Sequence, residues 1–136
     1  MKSSNQHILE YLIINKDYRD ASISPKSFDE LRRIIEDRYD KLGPGTKQDP
    51  INFNDIDVSN LDSFCNKGKG IFEVTKFKYI DISDWDVSSV TDMSNMFECC
   101  ESFNQDLSKW NVLNVTNKTD MFYNCPIKYE YKPKFI

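Results

Sequence analysis

The sequence predicts an α+β chain: a helical front end over residues 1–50, then a short solenoid of two full and one partial 25-residue repeat over 51–136. Three observations carry this reading. The first 50 residues hold an apolar pattern of helical period. From Ile82 onward the chain repeats itself at a constant offset of 25 residues. A degraded earlier copy begins at Phe53, and it sits 29 residues before its counterpart.

In the front end, Ser4 or Asn5 can cap a first helix in which Ile8, Leu9, Leu12 and Ile13 recur at helical spacing. Tyr11–Ile14 also reads as a short strand, so two endings stay open there. Ser24-Pro25 sets up a second helix, and Ser27-Phe28-Asp29-Glu30 has capping-box spacing. Phe28, Leu31, Ile34, Ile35, Tyr39 and Leu42 form its apolar face, with Arg32, Arg33, Glu36 and Asp37 mostly opposite. Leu42-Gly43-Pro44-Gly45 ends it.

In the repeat region, Ile82–Met93 overlies Leu107–Lys118, followed by Met96-Phe97 over Met121-Phe122 and Cys100 over Cys125. The earlier copy, Phe53–Leu61, returns to register at Ile71-Phe72 after Lys67-Gly68-Lys69-Gly70, which fits a four-residue insertion at those glycines. Trp85 and Val87 share a parity, so a short strand there turns both inward and Asp84 and Asp86 outward. Ser94–Cys99 reads as a helical turn burying Met96 and Phe97. Stacked coils would align Trp85/Trp110, Val87/Val112, Phe97/Phe122 and Cys100/Cys125 in one core. The front helices are the expected N-terminal cap. Ile127–Pro133, alternating apolar with charged, is the expected C-terminal edge strand. Such an edge is also a place for self-association.

The charge pattern narrows the partners. Residues 1–50 carry nine basic and nine acidic side chains, and residues 51–136 carry nine and thirteen. No Lys or Arg lies between Lys78 and Lys109, where Asp81, Asp84, Asp86, Asp92, Glu98, Glu101 and Asp106 all fall. That segment repels a phosphate backbone and attracts a basic protein. Asp57, Asp86 and Asn111 form one outward ladder, and Asp55, Asp84 and Lys109 another. The candidate partner-binding residues are therefore Asp57, Asp81, Asp84, Asp86, Asp92, Glu98, Glu101, Asp106 and Asn111. A merely solubilising face is the competing reading.

No catalytic, cofactor or metal residues are expected. His7 is the only histidine, and no nucleophile–base pair can be built on it. The four cysteines lack CxxC spacing, and the aspartate ladders lack the glycine-rich turn of a calcium site. Cys100 and Cys125 could bridge adjacent coils, with free core thiols the favoured reading. No run of about 18 apolar residues spans a membrane.

The run Trp85-Asp86-Val87-Ser88-Ser89-Val90-Thr91-Asp92-Met93-Ser94-Asn95-Met96-Phe97, followed by Ser102-Phe103-Asn104-Gln105-Asp106-Leu107-Ser108-Lys109-Trp110, resembles the BspA-type leucine-rich-repeat surface proteins. Mycoplasma lipoproteins carry the same repeats. Pro25-Lys26, Glu30-Leu31 and Asn54–Ser59 are similar to a segment ahead of such repeats in bacterial and phage proteins. The resemblance implies a leucine-rich-repeat-like fold that binds proteins or surfaces, with no catalytic residues to carry over. With no secretory leader read at the start, the expected location is cytoplasmic, in the host if phage-encoded. The expected function is a non-enzymatic protein-binding module, in its sharper form a phage- or mobile-element-encoded, anti-CRISPR-like inhibitor of a nucleic-acid-binding defence nuclease. The alternative is a surface adhesin or virion-associated repeat protein.

Overall fold

The computed structural model describes residues 23–72 and 77–135. The expected first helix, at residues 5–13, lies outside them. Helix α1 is Phe28–Leu42. Ser27 caps it, its Oγ accepting from the Glu30 N–H at 3.1 Å, while Glu30 reaches back to the Lys26 N–H at 2.8 Å. One orphan donor of the first turn and the N–H just ahead of the cap are thereby satisfied. Gly43 stops the helix at φ 77°, donating its N–H to the Tyr39 carbonyl at 2.8 Å.

The buried stripe of α1 is Leu31, Ile35 and Arg38. Phe28, Ile34, Tyr39 and Leu42 flank it, partly buried against the core. Arg38 is unexpected there. Its guanidinium forks onto the Asp55 carboxylate at 2.5 and 2.9 Å and also donates to the Asn52 carbonyl at 3.1 Å. Burial of a cation is tolerated here because planar, charge-assisted bonds replace its water. Arg32, on a neighbouring turn, donates to the Ile71 carbonyl and lies 5.0 Å from the centre of the Phe77 ring. Two arginines therefore tie α1 to the first coil.

Strand β1 (Ile51–Asn52) pairs in parallel with β4 (Ile80–Asp81), and β2 (Cys65–Asn66) pairs antiparallel with β3 (Lys69–Gly70). The β2–β3 hairpin is the expected insertion. Lys67 and Gly68 turn it, both at positive φ (53° and 76°), as a tight two-residue hairpin demands.

Beyond these short pieces each coil is a succession of tight turns, not a pair of strands. The Trp85 N–H bonds the Ile82 carbonyl, as Ile56 bonds Phe53 and Trp110 bonds Leu107. Val90–Val87, Leu61–Val58 and Val115–Val112 repeat a second turn. The two ends of each turn are buried, Ile82 with Trp85 and Val87 with Val90, so Trp85 and Val87 still share the inner face. Ser94–Cys99 is likewise not a helical turn. Asn95 and Cys99 take positive φ (59° and 61°), which breaks a helix, and their counterparts Asp120 and Asn124 do the same (54° and 55°).

Neighbouring coils meet through parallel bridges, Ser63 to Asp92 and Asp92 to Asn117. Inside, Phe72 stacks on Phe97 (centroids 5.7 Å apart), and Phe97 on Phe122 (5.5 Å) and on Phe103 (4.2 Å). Trp85, Trp110, Val87 and Val112 are all buried, and the buried Trp85 indole N–H finds the Phe53 carbonyl at 2.9 Å. Cys100 and Cys125 are free thiols, donating to the carbonyls of Phe72 and Phe103.

The expected C-terminal edge strand does not form. Tyr129–Tyr131 makes a 3-10 turn, η1, and Tyr129 is 87% exposed. Its own bonds, Tyr131 to Lys128 and Lys132 to Tyr129, use donors that a ladder would need. Single anchors hold the segment down instead: Lys128 N–H to Asn104 Oδ1, and Leu107 N–H to the Tyr131 carbonyl.

Candidate functional site

The acidic residues singled out in the sequence turn out to be turn-makers first. Asp57 Oδ1 accepts from the Ser59 N–H at 3.0 Å and its hydroxyl at 2.6 Å. Asp86 does the same with Ser88 at 3.1 and 2.6 Å. Asn111 keeps the backbone half of the motif, accepting from Leu113 at 3.1 Å. Asp81 with Ser83, Asp92 with Ser94 and Asp106 with Ser108 close equivalent turns at other corners of the coil. A short carboxylate followed two residues later by a hydroxyl suits this geometry, because the side chain mimics a backbone carbonyl.

These bonds favour the charged form. The Asp57 carboxyl is held below its ordinary value of 3.8 by the Ser59 hydroxyl and then its N–H, with Asp86 pushing slightly the other way. Asp86 is lowered by Ser88 in the same manner, and Asp106 by Ser108. Burial pushes Asp81 up, but the bonds from Ser83 and Asn54 outweigh it and the net shift is downward. Depressed folded values mean that the stabilisation is complete above the ordinary value of 3.8 and drains away as pH falls through the lower values. The melting temperature is therefore expected to hold steady down to about pH 5 and to fall below about pH 4. Ser88→Ala should raise the Asp86 carboxyl toward its ordinary value, as read by carboxyl-carbon NMR titration. An unmoved titration would show that the hydroxyl does not set it.

The structure brings together some of the nominated residues and separates others. Asp57, Asp86 and Asn111 are exposed at equivalent positions of successive coils, and Asp57 and Asp86 are close enough to repel. Asp106 is exposed at another corner, equivalent to half-buried Asp81, which also accepts from Asn54 Nδ2 at 3.1 Å. Asp92 is half-buried in a bridge, and Glu98 accepts from Asn95 Nδ2 at 2.7 Å. Asp84 and Glu101 are exposed, apart from the row. The second ladder is broken, since Asp55 belongs to Arg38. Among the described residues no group of three or more His, Cys, Asp and Glu side chains could hold a metal.

One feature escaped the sequence reading. A cavity of about 700 Å³ lies between the last coil and the C-terminal segment, lined in part by Lys118, Phe122, Lys132, Lys134 and Phe135. Its signal was present: Lys118 occupies the repeat position where Met93 is fully buried.

No helix of the described residues is long and apolar enough to cross a membrane. No curated protein and no solved structure matches the chain. A match to a family does cover more than half of it, residues 45–129, from just after α1 through the repeats. The chain belongs to the family described as Mycoplasma protein of unknown function, DUF285.

Proposed function

We propose that this chain is a non-enzymatic protein-binding module, a short leucine-rich-repeat-like solenoid of the BspA type that presents an acidic row to a basic protein surface. One observation carries the proposal: Asp57 and Asp86 are exposed and locked in identical turns on neighbouring coils. Their depressed titration keeps both charged throughout the physiological range. A rigid row of charge loses little conformational entropy on binding and steers a basic partner toward it. Hydrogen bonds between residues 24 to 29 apart, such as Met93 to Asn117 and Phe64 to Asp92, support the repeat architecture. In its sharper form the module is a phage- or mobile-element-encoded inhibitor that covers the basic surface of a nucleic-acid-binding host protein. The resemblance to phage-borne relatives of these repeats favours that form.

The test uses Asp57→Asn together with Asp86→Asn. Asparagine keeps the turn, as Asn111 does, and removes the charge. Affinity capture from host lysate should recover a stoichiometric basic protein with the wild type. The double variant should bind that protein about tenfold more weakly, the loss expected for two charges at a polar rim. Equal recovery by both proteins would sink the proposal.

A further inference from the structure

The backbone N–H groups that join the second coil to the third have counterparts on the third coil itself. Met93 donates to the Asn117 carbonyl at 2.8 Å, Asn95 to Thr119 at 2.9 Å and Phe97 to Met121 at 2.9 Å. Carried forward by 25 residues, these donors are Lys118, Asp120 and Phe122. Their N–H groups have no hydrogen-bond partner among the described residues. The turns around them repeat the earlier ones: Met121 bonds Lys118 as Met96 bonds Met93, and Cys125 bonds Phe122 as Cys100 bonds Phe97. Asp120 and Asn124 keep the positive φ of Asn95 and Cys99. Equivalent backbone conformation aims equivalent N–H groups the same way, so these three face away from the second coil.

All three residues line the cavity of about 700 Å³, together with Tyr129, Lys132 and Lys134 of the C-terminal segment. The ammonium groups of Lys118, Lys132 and Lys134 form no ion pair among the described residues, although Asp120 and Glu130 line the same cavity. Lys118 and Lys132 lie instead on aromatic faces, 4.5 Å from the Phe135 ring centre and 5.4 Å from that of Phe122. Three ammonium groups against two carboxylates leave an excess of one positive charge, and the unpartnered N–H dipoles add to it.

One coil earlier, this row of N–H groups meets a line of oxygens, the carbonyls of Asn117, Thr119 and Met121. An ionised phosphate chain offers the same, a succession of oxygens that accept hydrogen bonds and carry no donor. A single phosphate cannot follow a row of donors set two residues apart, whereas a chain of them can. The lysines supply its counter-charge. The cavity has the volume of a small-molecule site, far more than an inorganic ion fills. Tyr129 is the aromatic face left open in its wall: 87% of its surface is exposed, and its ring meets no other ring or cation among the described residues. A flat heterocyclic base stacks on such a ring.

We propose that this cavity binds a nucleotide with two or more phosphates, the phosphate chain lying along the N–H groups of Lys118, Asp120 and Phe122 beside the three lysines and the base on the Tyr129 ring. The site is independent of the acidic row, since Asp57 and Asp86 close turns of the first and second coils and attract the opposite sign.

The test is titration of the ¹⁵N-labelled protein with ADP, pyrophosphate and adenosine in turn. ADP should give saturable shifts at the amides of Lys118, Asp120 and Phe122 and spare those of Met93, Asn95 and Phe97. Pyrophosphate should shift the same amides with about tenfold weaker affinity, the difference being the base on Tyr129. Adenosine should not saturate. Lys132→Gln with Lys134→Gln should weaken ADP and pyrophosphate alike, by about tenfold. Tyr129→Ala should bring ADP down to the affinity of pyrophosphate and leave pyrophosphate itself unchanged, with unmoved amides elsewhere showing that each variant is folded. Asp57→Asn with Asp86→Asn should alter neither affinity. Three results overturn the proposal: no saturable shift at these amides with ADP, equal affinity for ADP and pyrophosphate, or an ADP affinity untouched by Tyr129→Ala. The second would mean a simple anion site.

Discussion

Gly70→Ala is expected to destabilise the protein by about 3 kcal/mol, at the top of the usual range for overpacking. A Cβ at Gly70 would lie 2.0 Å from the Asn95 carbonyl oxygen, 2.3 Å from its carbon and 2.7 Å from the Met96 Cα. All three obstacles are backbone, so no rotamer change relieves them. Relief requires the first coil to move away from the second. That movement strains the Phe72–Met96 and Phe64–Asp92 hydrogen bonds and opens the Phe72–Phe97 stack. Against a total stability of about 5–15 kcal/mol the loss is large, and it corresponds to a fall in melting temperature of roughly 10 °C. Thermal denaturation followed by circular dichroism measures it. A fall of less than a few degrees would show that the coils separate freely at this point.

Phe97→Ala is expected to cost about 4 kcal/mol, because a fully buried ring leaves a cavity its neighbours cannot fill. Phe97 touches Phe72 on one side and Phe122 on the other, with Phe103 stacked at 4.2 Å. Removing it interrupts the aromatic column at its middle. Phe122→Ala, at the open end and only partly buried, should cost about half as much. Urea denaturation of the two variants gives the comparison. Equal losses would mean that the column is not continuous and that the last coil is as well covered as the middle one.

Both expectations depend on features that differ in how far they could be read from residues alone. The cap of α1 was legible, because Ser27 and Glu30 act on N–H groups within one turn of themselves. The place of the insertion at Lys67–Gly70 was legible from the 29-residue offset, but its hairpin form was not. The positions brought side by side by the 25-residue offset, Asp92 with Asn117 and Phe97 with Phe122, followed from side-chain pattern. The acidic row was half legible. Its exposure followed from parity, but the bonds that lower its titration depend on the turn each aspartate closes. Reading Trp85–Val87 as a strand failed because Trp85 ends one turn and Val87 begins the next, which buries both as a strand would. The C-terminal segment is not an edge strand because its own turn takes the Tyr131 and Lys132 donors, leaving only single anchors at Lys128 and Tyr131.

By itself, then, the sequence determined the 25-residue offset, the helix cap, the place of the insertion and the sign of charge on each segment. These properties are set by residues near one another in the chain or by recurrence along it. Only the tertiary structure decided that Arg38 is buried on Asp55 and that Gly70 faces the Asn95 backbone. Each of these depends on which chain segment arrives opposite, and on the direction in which its peptide groups point. Side-chain periodicity carries no information on that direction.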